Sequence, residues 1–339
     1  MSKLRETALT STLHQKQENM DVIYTKSSRE YKGNEVPEGP YRLEGVRRIG
    51  RKVVPELDAE SLAKLVHSSD HLEKIESAGK HNRMLAEVFT DSVTYPAALK
   101  SVMLAAKAAR EGHFACTRPP GHHATEDTAK GFCFLNNIAI VSRMLSNDGK
   151  RVCIFDIDGH QGDGTDHIFF NAGEILFISI HQEFAYPYFY LGHDPAAGYD
   201  VTVDHRGENT AEGLHYNMPV PENSGDDVLL DFTDRMLPVI ESFDPDVIGI
   251  SAGFDGYHQD SLLNLNYSQS GYHEFGKRIA SLGNELFGLL EGGYHSDVVE
   301  CIEAMVAGVN GTEYTPEDEL SESSEEVFER YREYAERRI

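Results

Sequence analysis

The chain reads as an α/β protein: a single parallel β-sheet sandwiched by helices, with its active site at the C-terminal ends of the strands. Three observations carry this. Continuously apolar runs recur at Val152–Phe155, Ile175–Ile180, Val247–Ile250 and Leu286–Leu290, which is how strands buried on both faces look. Helical stretches lie between several of them, at 164–170, 226–243, 271–282 and 298–309, and that alternation belongs to a sheet covered on both sides. Strong polar motifs follow the runs, and in such sheets the functional groups gather beyond the carboxyl ends of the strands.

In chain order, Met20 to Tyr24 is a plausible first strand. Leu43, Val46, Ile49 and Val53 recur at helical spacing and predict a helix over 41–54. Asp58 caps a helix through Leu62 and Val66, and a second short helix starts near Asp70. Tyr95 to Arg110 is Ala-rich and helical. His113 to Thr117 is strand-like, and after the loop Arg118-Pro119-Pro120-Gly121 a buried helix is expected over 132–145. The composition changes at Thr312 to an acidic tail in which a charged helix begins near Ser324, with Val327, Tyr331 and Tyr334 on one face. There is no internal repeat and no linker that demands two domains.

Asp and Glu outnumber Lys and Arg by 56 to 31, a net charge of −25. Such a surface repels nucleic-acid phosphates and anionic lipid, so neither partner is expected. It attracts cationic substrates, although solubility or a salty cytoplasm is the blander account. Cys116, Cys133, Cys153 and Cys301 form no paired spacing, so neither a disulfide framework nor a thiolate metal site is suggested. Met1 to Met20 has no apolar core and no run reaches transmembrane length, which predicts a cytoplasmic protein. The sequence carries no signal for oligomeric state.

The chemistry-bearing motifs sit after the strand-like runs. Asp156, Asp158 and His160 follow Val152–Phe155 at a spacing of two, and on an extended strand they leave on one side. That makes half a metal site, or else a polar loop after a strand. Phe254-Asp255-Gly256 and Glu291-Gly292-Gly293-Tyr294 follow two further runs, and His122-His123 follows the fourth. Asp158, His160 and Asp255 would give three N/O ligands and an open position, as in a catalytic zinc site; Fe(II), Co(II) or Mn(II) suits the same donors. A histidine serving as base needs a carboxylate behind it, and Asp156 and Asp163 are available. The histidine pair could equally be a solvated loop. Tyr294 could point a phenol into the cleft to stabilise an oxyanion, or be an ordinary loop tyrosine.

Taken together, Arg118-Pro-Pro-Gly-His122-His123, Gly131-Phe-Cys-Phe-Leu-Asn-Asn137, Asp156-x-Asp158-x-His160-x-Gly-Asp163-Gly, Ser179-Ile-His181, Ser251-Ala-Gly-Phe-Asp255 and Glu291-Gly-Gly-Tyr294 resemble, in order, the motifs of the histone deacetylase and acetylpolyamine amidohydrolase superfamily. Pro37-Glu38-Gly-Pro40-Tyr-Arg42 resembles its N-terminal signature, and the likeness covers roughly residues 20 to 310. The resemblance implies the arginase–deacetylase fold, a catalytic domain over 1–311 with the tail at 312–339, and zinc-dependent hydrolysis of an N-acyl amide on lysine or a related amine. It implies Asp158, His160 and Asp255 as metal ligands. His123 would be general base and acid, oriented by Asp163; His122 would be an electrostatic partner held by Asp156; Tyr294 would polarise the acyl carbonyl. Gly131, Phe132 and an aromatic from 186–190 (Tyr188 or Phe189) would line the substrate channel with Leu262 at its rim. A structural potassium ion would use Asp156, Asp158, Ser179 and main chain near His160 and Ile180. Arg42 matches an arginine near a product channel.

Three features depart from the pattern. Gln161 stands where many members have histidine. Leu262 stands where polyamine-selective eukaryotic members place a glutamate. No long insertion of the bacterial polyamine type precedes the Pro-Pro-Gly motif, since only residues 71–117 separate Asp70 from Arg118. The last two favour an acyl-lysine or general acyl-amide substrate over an acetylpolyamine. A ureohydrolase on the same fold would need further Asp and His ligands. A silent acyl-lysine binding module would usually lack a ligand or the tyrosine.

Overall fold

The computed structural model describes residues 19–187 and 201–339. Among these, eight parallel strands form one sheet, in the order β2-β1-β5-β10-β9-β6-β7-β8. They are β1 (Val22–Tyr24), β2 (Gly50–Lys52), β5 (Phe114–Ala115), β6 (Val152–Asp156), β7 (Ile175–Gln182), β8 (His215–Val220), β9 (Val247–Ala252) and β10 (Glu285–Leu290). A two-stranded antiparallel hairpin, β3 (Met84–Leu85) and β4 (Val88–Phe89), lies apart from it.

The pleat sends alternate residues to opposite faces. Cys153 and Phe155 join a core under α7 (Asp226–Phe243), α8 (Gln269–Ala280) and α9 (Val298–Asn310), while Val152 and Ile154 join the other under α4 (Thr94–Glu111), α5 (Asn137–Asn147) and α6 (Asp163–Phe169). The helices α1 (Lys26–Glu30), α2 (Ala59–Ala63) and α3 (Ser69–Lys80) complete the second side. The caps are local chemistry: Asp58, Ser68 and Asn136 each accept a backbone N–H in the first turn of α2, α3 and α5.

Two expected elements differ. Residues 41–54 do not form a helix. They make two 3-10 turns, Pro40–Leu43 and Val46–Arg48, separated by Gly45 at φ 83°, and then enter β2. Leu43 and Val46 are buried all the same, one from each turn. The helix expected from 132 begins only at Asn137, since Asn136 caps it and Phe132 holds φ 64°. The strand β8 has no counterpart in the sequence reading.

The acidic tail ends in α10 (Glu325–Arg338), capped by Ser324. It packs against β8 and α7 with Tyr331 and Tyr334 buried. The Tyr331 hydroxyl donates to Asp231 Oδ2 at 2.6 Å. No helix among the described residues is long and apolar enough to cross a membrane.

Tyr331 removes a whole ring from water, so Tyr331→Ala is expected to lower stability by about 3 kcal/mol and Tyr331→Phe, which loses only the hydrogen bond, by about 1 kcal/mol. Urea unfolding of both variants measures this; equal, negligible shifts would mean that α10 is not part of the cooperative fold.

Candidate active site

Four strands that are neighbours in the sheet, β5-β10-β9-β6, end on the same side, and the polar motifs follow them. Register places Asp156, the last residue of β6, beside Ser251 of β9 and Ser179 of β7. The chain beyond β6 folds back through two turns in which each carboxylate accepts the N–H two residues on: Asp158 N to Asp156 Oδ1 at 3.0 Å and His160 N to Asp158 Oδ1 at 2.8 Å. The outer oxygens of the acids are fixed by backbone from other strands. Gly292 N donates to Asp158 Oδ2 at 2.7 Å and Gly159 N to Asp255 Oδ1 at 2.6 Å. Gly253 is required by this crowding, because a Cβ there would sit 1.8 Å from Asp158 Oδ2.

Asp158, His160 and Asp255 are buried, and their donor atoms all lie within 4.8 Å of one another. His160 Nδ1 lies 2.9 Å from Asp255 Oδ2 and 3.3 Å from Asp158 Oδ1. One imidazole nitrogen and two carboxylates converging in a buried space fit a divalent cation of borderline hardness. The electrostatics agree. Burial would lower His160, but Asp255 and Asp158 outweigh it and raise it to about 10. Burial, together with the charge of Asp158, pushes Asp255 up to about 7. The cluster therefore holds on to positive charge, as a proton or as a metal ion.

The tandem histidines face this group with separate carboxylates behind them. His122 Nδ1 lies 3.0 Å from Asp156 Oδ2, and His123 Nδ1 2.7 Å from Asp163 Oδ1. A carboxylate only accepts, so each ring carries a proton on Nδ1. The two rings nevertheless differ. Burial opposes charge on His122, yet Asp158 and Asp156 raise it well above the ordinary histidine value. Burial dominates at His123, reinforced by His122, and lowers it to about 4 despite Asp163. His122 is thus the charged ring and His123 the neutral one at physiological pH. Their loop is held by Glu291, whose Oε2 accepts from Gly121 N at 2.6 Å and His122 N at 3.1 Å; burial pushes this acid up to about 7.

Opposite stands Tyr294. Its N–H donates to Asp260 Oδ2 at 2.5 Å, its ring meets Phe132 edge-on at 5.7 Å, and the Arg42 guanidinium lies over it at 4.7 Å. Burial holds the phenol well above its ordinary value, with Arg42 pulling the other way, so it stays protonated as a donor. Arg42 is itself buried, donating to Gly293 O and Glu291 O at 2.5 Å each and to Glu38 Oε1 at 3.0 Å.

A cavity of about 810 Å³ opens onto His123, His160 and Tyr294, with Gly131, Phe132 and Leu262 in its walls. Tyr188 and Phe189 lie outside the described residues. The Tyr186 ring stands edge-on to His123 at 5.0 Å and to His160 at 6.5 Å. The Ser179 hydroxyl is 2.9 Å from His181 Nδ1, and Ile180 is buried in β7 beside it. Gln161 is buried, donating to Asn217 Oδ1 at 2.6 Å and to Asp166 Oδ2 at 3.3 Å.

Sequence reasoning gave no role to Glu38, Lys130 or Glu87. Glu38 is buried between two guanidinium groups, those of Arg42 and Arg118. Lys130 pairs with the Asp163 oxygen that His123 leaves unused, and Glu87 Oε2 accepts from Gly131 N at 2.7 Å. Glu38 stands inside a recognised motif, between Pro37 and Gly39, and Lys130 directly precedes another at Gly131; a charge beside Pro or Gly there was the available signal.

Residues 40–309 match the model of the histone deacetylase domain. The chain is 39% identical over 189 residues to acetylpolyamine amidohydrolase 1 of Pseudomonas aeruginosa, an alignment covering 55% of this chain and 52% of the relative. It is 34% identical over 279 residues to a "Probable deacetylase" of Methanothermobacter thermautotrophicus, covering 78% and 80%. Against the first relatives, the chain thus spans about half of their length. The crystal structure of the HDA15 HD domain superposes with a TM-score of 0.77 at 25% identity, over 94% of each chain. With a domain match over most of its length, a shared parallel sheet and the motifs gathered at one end of it, the chain belongs to the histone deacetylase domain family.

Proposed function

We propose that the protein is a zinc-dependent amidohydrolase that removes acetyl or another short acyl group from the side chain of lysine or from a related amine. The single observation that carries this is the buried Asp158–His160–Asp255 group facing a neutral His123 and a protonated Tyr294 across one cavity. Names of relatives, both deacetylase and acetylpolyamine amidohydrolase, support it.

Asp158, His160 and Asp255 would hold the cation, which supplies Lewis-acid polarisation of the acyl carbonyl and acidifies a water. Potassium is proposed near Asp156, Asp158, His160, Ser179 and Ile180. His123, neutral and oriented by Asp163, takes a proton from the attacking water and returns one to the leaving amine. Lys130 holds the second oxygen of Asp163, so that carboxylate cannot turn away from the ring. His122 carries fixed positive charge beside the developing oxyanion, held by Asp156. Tyr294 donates its hydroxyl to that oxyanion, and the ring contact with Phe132 fixes where the hydroxyl points. Arg42 supports the Gly293-Tyr294 turn from behind, and its place near a product channel is part of the proposal.

Acetylpolyamine hydrolysis is a second reading. The Pseudomonas relative favours it by name, as do four glutamates against one arginine among the described residues that line the cavity. Leu262 at the rim favours acyl-lysine instead.

His123→Ala and Tyr294→Phe are each expected to lower kcat on an acetyl-lysine substrate by on the order of 10² or more with unchanged melting; near-normal turnover by either would refute its assigned role. Asp158→Ala is expected to bind less than a tenth of the metal of the parent protein by elemental analysis, and full occupancy would refute the ligand set. A chelator should abolish turnover and Zn²⁺ restore it; undiminished activity in the metal-stripped protein would sink the metal-dependent reading.

A further inference from the structure

The tail helix α10 lies outside residues 40–309 that match the domain model, yet it reaches the active-site cavity. Glu326, Val327 and Arg330 line the same space as His123, His160 and Tyr294. All three are on its first two turns, on the side toward the cavity.

The helix is fastened there rather than resting on the surface. Ser323 N donates to Asp227 Oδ1 at 3.0 Å and Ser321 N to Asp226 Oδ2 at 2.8 Å, which ties the approach to α7. Arg337 Nη2 donates to Asp204 Oδ2 at 2.7 Å. Nearest the cavity, Arg330 Nη2 and the Tyr334 hydroxyl both donate to Glu183 Oε2 at 2.8 Å. Glu183 directly follows β7 and begins the segment 183–186, all of which lines the cavity and which ends at Tyr186, edge-on to His123. One face of α10 therefore walls the cavity while its bonds to Glu183 brace the neighbouring wall.

Resting on the amidohydrolase reading above, we propose that α10 is a specificity-determining wall: it contacts the part of the substrate that lies beyond the scissile amide, and it selects for a second cationic group there. The sign comes from what the helix and the facing residues present. Arg330 is engaged with Glu183, whereas Glu326 is solvent-exposed and shares the cavity lining with Glu222. An ammonium or guanidinium lying over Val327 would share the cavity with both of these carboxylates. A polyamine and a lysine peptide with basic neighbours both offer that chemistry.

The test is steady-state kinetics on full-length zinc-loaded protein with four probes: N-acetylputrescine, acetylspermidine, an acetyl-lysine peptide flanked by arginines, and the same peptide flanked by alanines. Glu326→Lys is expected to raise KM for cationic probes by about fivefold at low salt, fading as salt is added, with kcat within about twofold. The alanine-flanked peptide should change by less than about twofold. Glu326→Gln should give a smaller shift of the same sign. Arg330→Ala removes the cation from the wall while Tyr334 still holds Glu183, so it should lower KM for cationic probes, the opposite direction. A shift confined to the polyamines or to the basic peptide supports the proposal and identifies the source. Equal effects on cationic and neutral probes, or a rise in KM for both with Arg330→Ala, would mean that the helix is only structural and overturn it. Wild-type protein that hydrolyses none of the four overturns the amidohydrolase reading itself, and this inference with it.

Discussion

Four carboxylates, Asp156, Asp158, Asp255 and Glu291, are buried together at the ends of three adjacent strands. Bringing like charges into a low-dielectric interior costs more than most single interactions return. Much of the local architecture follows from offsetting that cost. The turns after β6 and Gly292 after β10 point backbone N–H groups at carboxylate oxygens, and Gly253 after β9 leaves room for Asp158. The histidine loop is placed by Glu291 through two of its own amides, and in return lends His122 as a counter-charge. What compensation remains undone is the attraction for a divalent cation.

The same constraint separates two histidines that are neighbours in sequence. Their rings stand 4.1 Å apart, too close for both to be charged comfortably. His122, nearest the acids, takes the proton, and its charge helps to keep His123 neutral. A pair of identical side chains thus acquires two protonation states from position alone.

Much of this was legible in the sequence, for identifiable reasons. The strands β6, β7, β9 and β10 are buried on both faces and so are written as continuous apolar runs. The site residues follow them directly because strand ends are where the sheet opens. β8 was not legible because, at the sheet edge, His215 and Asn217 serve the Asp166–Gln161 network and interrupt any apolar pattern. The helix expected at 41–54 failed because an i, i+3 repeat does not separate an α-helix from successive 3-10 turns. Glu38 and Lys130 were passed over because a charge becomes informative only when its burial is known. The contribution of α10 to the cavity is a long-range packing result, with no local signature beyond its apolar face.

The seat of α10 also has a bearing on how the molecule comes together. β8 is the outer strand of the sheet, and an uncovered edge is a template for pairing with other chains. The helix that lies against it, and whose Arg338 donates to the carbonyl of His215, leaves the ribosome long after that strand does. For that interval the nascent chain carries an open sheet edge. Sealing it waits until α10 has been made and has docked, and in that interval the growing polypeptide is open to pairing with other chains.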